Sequence, residues 1–146
     1  MRVRKVHAAV LIGAGAAMAA VTASAPASAA PPSGAHPVVL DCADQARVRP
    51  GSFLLACGDG NNYLTSLHWS GWSPGSAVAT ARDQVNDCRP YCAAGHFHGY
   101  RATVRLDHPK AWPGHPGRWH FTRLTVHYPA NHPAGTGRDV VYPLWG

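Results

Sequence analysis

Apolar and polar side chains alternate through residues 100–106, with Tyr100, Ala102, Val104 and Leu106 on one face and Arg101, Thr103 and Arg105 on the other. A period of two with one polar face predicts a half-buried antiparallel strand. The same period runs through 63–69, where Tyr63, Thr65, Leu67 and Trp69 share a face, and a further strand over 76–82 follows the turn 70–75. Residues 52–57 are apolar without alternation, as in a strand buried on both sides. Gly58-Asp-Gly-Asn-Asn62 has turn chemistry, so 52–57 and 63–69 read as a hairpin. In 119–128, Leu124, Val126 and Tyr128 share a face but Trp119 and Phe121 are out of phase with them, which predicts a bulge or bend near Thr122. A closing strand over 139–145 carries Pro143, which suits a sheet edge. Asp41 is placed to cap one helical turn reaching Ala46, and a Pro-, Gly- and His-rich loop is expected over 107–118. Six to seven short strands and no amphipathic helix predict an all-β fold, a small antiparallel β-sandwich or barrel.

The pattern changes ahead of this domain. Arg2, Arg4 and Lys5 precede an apolar run from Ala8 to Val21, and Ala27-Ser28-Ala29 supplies a small-x-small cleavage site. These features predict a signal peptide over 1–29, a flexible leader over 30–37 and a single β-rich domain over 38–146. The apolar run is too short and too dilute in Gly and Ala for an uncleaved membrane anchor. The expected product is therefore secreted, extracellular, free of the membrane and monomeric. At 46% hydrophobic and 14% charged residues the chain is not disordered by default. Of its 13 Lys and Arg, 3 lie in the expected signal peptide, and the 10 that remain against 7 acids leave a formal charge of only +3. So mild an excess reads as a solvated basic face, and no nucleic-acid partner is expected. All seven acids are Asp, which excludes hydrolases that need a glutamate acid or base.

Cys42, Cys57, Cys88 and Cys92 all lie beyond the leader. Export takes them into an oxidising space, so two disulfides are expected. Three connectivities are open, and local pairing of Cys42 with Cys57 and Cys88 with Cys92 is the simplest. The competing zinc reading, Cys88-x3-Cys92-x3-His96-x-His98, fits none of the common ligand spacings, so no metal and no cofactor are expected. Cys57-Gly-Asp-Gly-Asn61, the Leu64, Leu67, Trp69 and Trp72 spacing, and Asn86-Asp-Cys88-x-Pro90-x-Cys92-Ala-x-Gly95 together resemble a group of small secreted actinobacterial proteins. The resemblance spans about residues 53–106. It implies export and two disulfides, and supplies no catalytic residue.

Three chemistries compete for a role. His96 and His98, two apart on an extended segment, could share a face and meet one ligand, and Trp112 between Pro-rich turns offers an indole to a sugar ring or a protein partner. Trp69 and Trp72 read instead as core. A small hydrolase would pair Asp59 or Asp87 with His68 or His96, although an Asp in a turn ordinarily bonds its own backbone. A protease inhibitor would present Cys88-Arg-Pro-Tyr-Cys92, where Pro90 after Arg89 makes a poor scissile bond. The expectation ranked first is a non-enzymatic secreted binding module, with no catalytic residue, whose partner is a cell-wall glycan or an extracellular protein.

Overall fold

The computed structural model describes residues 30–144, so the expected signal peptide over 1–29 and Trp145 of the closing strand lie outside the described residues. Eight strands form: β1 (Val39–Leu40), β2 (Ala46–Arg47), β3 (Phe53–Leu54), β4 (Asn62–Trp72), β5 (Ala77–Asn86), β6 (Phe97–Ala111), β7 (Trp119–His127) and β8 (Asp139–Pro143). β3 to β8 make one antiparallel meander in sequence order, curled into a half-barrel, while β1 and β2 form a separate two-stranded ribbon. The only helical piece among the described residues is a single 3-10 turn, Cys92–Ala94. The all-β antiparallel architecture is the one the alternating pattern predicts.

Alternation on β6 is as read from the sequence. Ala102, Val104 and Leu106 are buried, whereas Arg101 and Arg105 are exposed. The matching inward positions are Ala77 and Ala79 on β5 and Leu124 and Val126 on β7. Small alanines on one strand beside branched residues on the next let the curved sheet close over a dense core. Trp69 and Trp72 meet edge to face at 4.7 Å between ring centroids, and Trp72 meets Phe121 at 5.6 Å. Their indole N–H groups donate to the carbonyls of Pro50 and Pro37, at 2.9 and 2.8 Å, so each tryptophan fills the core and pins a neighbouring segment. Val38 bridges His120 in parallel, which seats β1 against the start of β7.

Several local expectations change. No helical turn follows Asp41; its carboxylate accepts the backbone N–H groups of Ala43 and Gln45, both at 2.9 Å, and closes the β1–β2 hairpin instead. The chemistry of a helix cap is present, but Arg47 pairs back with Val39 before a turn can propagate. β3 is only two residues long, with Phe53 buried and Leu54 exposed, because it is the edge of the sheet and has a partner on one side alone. On β4 the phase slips at Ser66, whose φ is +52°, so Leu64 and Leu67 both point inward while Tyr63 and Thr65 lie off the core. Asp107–Ala111 is strand, not loop, since Arg123 on β7 draws the Asp107 carboxylate across the ladder with contacts of 2.7 and 2.9 Å. The bend expected near Thr122 is shared by its neighbour: His108 has φ +53° and its carbonyl accepts the Thr122 hydroxyl at 2.7 Å.

Cys42–Cys57 ties the β1–β2 turn to the β3–β4 turn, and Cys88–Cys92 closes the β5–β6 connection. Two closed disulfides belong to a compartment outside the reducing cytoplasm. Among the described residues no helix is long and apolar enough to cross a membrane.

Candidate functional site

The β5–β6 connection is held by its own side chains. Asn86 donates to Asn61 Oδ1 at 2.9 Å and to the Cys92 carbonyl at 2.8 Å, and its amide oxygen accepts the Cys88 N–H at 3.0 Å. Asp87 accepts the N–H groups of Arg89 and His96 at 3.1 and 3.0 Å, and its second oxygen lies 3.0 Å from His98 Nε2. The His96 N–H, followed by the His98 ring, holds the Asp87 carboxyl well below the ordinary carboxylate value. Gly95 completes the arrangement. A Cβ there would collide with Asn86 Oδ1 and lie 2.8 Å from the Cys88 nitrogen. The Asn86, Asp87, Cys88, Cys92 and Gly95 spacing noted in the sequence is thus the set of residues that build this loop.

Between this loop and the β7–β8 connection lies an open hollow of about 400 Å³, lined by Val85, Asn86, Asp87, Arg89, His98, Tyr100, Pro133 and Ala134. Tyr100 is half-buried and meets Tyr128 edge to face at 6.2 Å. Among the described residues neither the Tyr100 hydroxyl nor the Arg89 guanidinium has a partner. Beside it, on the inward face of β5, Asp83 is fully buried. It accepts the Tyr128 hydroxyl and the Asn62 amide, the latter at 2.6 Å, and Asn62 in turn accepts the Tyr142 hydroxyl at 3.0 Å. Burial pushes the Asp83 carboxyl up despite these donors, and burial with the Asp83 bond pushes the Tyr128 phenol up. The inner face of the half-barrel is therefore apolar at one end and hydrogen-bonded at the other.

The sequence candidates scatter. His98 is the second residue of β6, and Trp112 follows its last, so nearly the whole strand lies between them, about 45 Å of chain at about 3.3 Å per residue. His96 contributes its backbone N–H to Asp87, while it is the ring of His98 that pairs with that carboxylate. Trp112 is half-buried rather than open. Its ring stacks on His115 at 3.5 Å between centroids, and the Arg118 guanidinium sits 4.8 Å from it. Asp59 accepts the Asn61 N–H at 3.0 Å in the turn after Cys57, and His68 lies exposed on the outer face of β4. Among the described residues no three His, Cys, Asp or Glu are placed to share a metal ion.

Sequence reading missed Asp83 and its tyrosines. The signal was present: Ala77, Ala79 and Ala81 share the inward phase, and the next residue in that phase is Asp83, one beyond the predicted strand end. No protein-family model, no curated protein and no solved structure matches this chain.

Proposed function

We propose that the protein is an exported, non-enzymatic binding module that holds a cell-wall glycan in the hollow between the Cys88–Cys92 loop and the β7–β8 connection. The observation that carries this reading is the composition of that hollow: one aromatic side chain, Tyr100, beside Asn86, Asp87, Arg89 and His98, with the Tyr100 hydroxyl and the Arg89 guanidinium unpartnered among the described residues. Sugars present an apolar C–H face and a rim of hydroxyls, and an aromatic flank with a few fixed polar groups matches both. The disulfide and the Asn86 and Asp87 bonds fix the loop backbone and the His98 ring before the ligand arrives, which lowers the ordering cost of binding. Asp87 is committed to shaping the site: one oxygen accepts the Arg89 and His96 N–H groups and the other orients the His98 ring. The test is retention on purified cell-wall material. Arg89→Ala should fold normally and lose retention at least tenfold, while Trp112→Ala should retain as the wild type does. Loss confined to Trp112→Ala would move the site to the other end of β6, and a wild type that is not retained would refute the module.

A further inference from the structure

The outer face of the sheet carries a second feature that the glycan hollow does not use. Arg82 on β5 and Arg101 on β6 are direct cross-strand partners, and both are exposed. Two like charges placed opposite each other destabilise a sheet. Among the described residues no carboxylate pairs with either of them. Arg82 reaches only the Gly99 carbonyl, at 3.4 Å, and Arg101 has no polar partner. The aspartates are committed elsewhere: Asp41 to Arg47, Asp107 to Arg123, Asp139 to His127, Asp87 to His98, Asp59 to its own turn and Asp83 to the core. Asp44 lines a different hollow, the one that Trp112 also borders, and the sequence holds no Glu.

One row along, Thr80 on β5 and Thr103 on β6 are likewise direct partners. The phase slip at Ser66 sets His68 opposite Thr80, so the row continues onto β4. A shallow hollow of about 450 Å³ on this face is lined by Ser66, His68, Thr80, Arg82, Arg101 and Thr103 together with small apolar residues. Every polar side chain in it can donate a hydrogen bond, and none is acidic. We propose that this hollow is a binding site for a tetrahedral oxyanion, a phosphate or phosphate ester, held by the Arg101 and Arg82 guanidinium groups with the threonine hydroxyls beside them. A guanidinium presents two parallel donors to such an anion, and the anion removes the repulsion that the two arginines otherwise impose on adjacent strands.

Titration of the mature chain with orthophosphate, followed through backbone amide shifts, tests the site. Saturable shifts should centre on Arg82, Arg101 and Thr103. Arg101→Ala should weaken orthophosphate at least tenfold and Arg101→Lys by less, because a lysine keeps the charge and loses the fork. Lys110→Ala, the same change of net charge at the far end of β6, should leave the affinity within twofold. Equal weakening by Arg101→Ala and Lys110→Ala, or no saturable shift at millimolar orthophosphate, would overturn the proposal. Melting provides a second reading: without phosphate Arg101→Ala should melt above the wild type, and added phosphate should raise the wild type alone. An Arg101→Ala variant that melts lower in phosphate-free buffer would remove the repulsion on which the inference stands. A poly(glycerol phosphate) arm separates the sources, since tighter binding than orthophosphate assigns a polymer ester and equal binding per phosphate assigns the free ion.

Discussion

The two ends of the half-barrel are built from the same inward phase of the same strands and differ in what that phase contains. At one end Leu67, Val104, Leu106, Phe121 and Leu124 exclude water, with Trp69 and Trp72 packed against them, Val39 in the same cluster and Val38 bridged to His120. At the other end the inward positions become Asn62, Asp83 and Tyr128, with Leu64 beside Asp83 on the ladder and the Tyr142 hydroxyl reaching Asn62 from a position opposite Leu124; hydrogen bonds join these groups and a hollow borders them. The apolar end is stabilised by area removed from water, about 1.5–3 kcal/mol for a fully buried Val or Leu. The polar end gains little net energy from its bonds, and each of its groups becomes costly once its partner is removed. One end therefore tolerates changes of shape poorly, and the other tolerates loss of a partner poorly.

The largest expected effect breaks the apolar end. Val104→Asp places an unpaired charge where the side chain has no exposure, at a cost of several kcal/mol, about 3–5 by analogy with broken buried pairs, enough to unfold a domain of ordinary stability. Circular dichroism should show no cooperative melt. Asp83→Leu should be the next most damaging although it adds apolar volume, because the buried Tyr128 hydroxyl is left without its acceptor, at about 1–3 kcal/mol, and Asn62 keeps only its 3.3 Å bond to the Gln84 carbonyl. If Asp83→Leu melted at or above the wild type, the polar end would be solvated and the contrast between the ends would fail.

A smaller effect separates the buried carboxylate from the paired one. The Asp83 carboxyl is raised above its ordinary value of 3.8 by burial, so its ionisation costs the folded state stability as pH rises through the window above 3.8. Asp107 is lowered, first by its bonds to Arg123, so its contribution is complete above 3.8 and is lost as pH falls toward the lowered value. Relative to wild type, Asp83→Asn should therefore gain stability as pH rises from 4 toward neutrality. Asp107→Asn should be destabilised at neutral pH and should approach the wild type below 3.8. Chemical denaturation across that range checks both signs, and identical profiles for the two variants would contradict the assignment.

The alternation of β6, the β3–β4 hairpin, the edge position of β8 and the two local disulfides were legible because each rests on neighbours in sequence or on a strict period of two. Ser66 was not, because a left-handed residue inside a strand carries no compositional mark, yet it reverses which side chains of β4 face the core. The extension of β6 through Asp107–Ala111 was hidden by Pro109 and the surrounding His residues, and depends on Arg123 sixteen positions away. His96, His98 and Trp112 stood out by residue type, but type does not say that the histidines stand at the start of a fifteen-residue strand and the tryptophan just past its end. Asp83 sat in plain phase with three alanines. A lone acid on an apolar face is informative because burial without partners is so costly.

In the proposed module the hydrogen-bonded end of the half-barrel is the end that meets the glycan. Amide shifts of the ¹⁵N-labelled protein on addition of soluble cell-wall glycan fragments locate that contact. Shifts confined to Val85, Asn86, Arg89, His98 and Tyr100, with Trp112, His115 and Arg118 unmoved, are the expected result. Shifts centred on Trp112 and His115 with the Tyr100 end silent would contradict it.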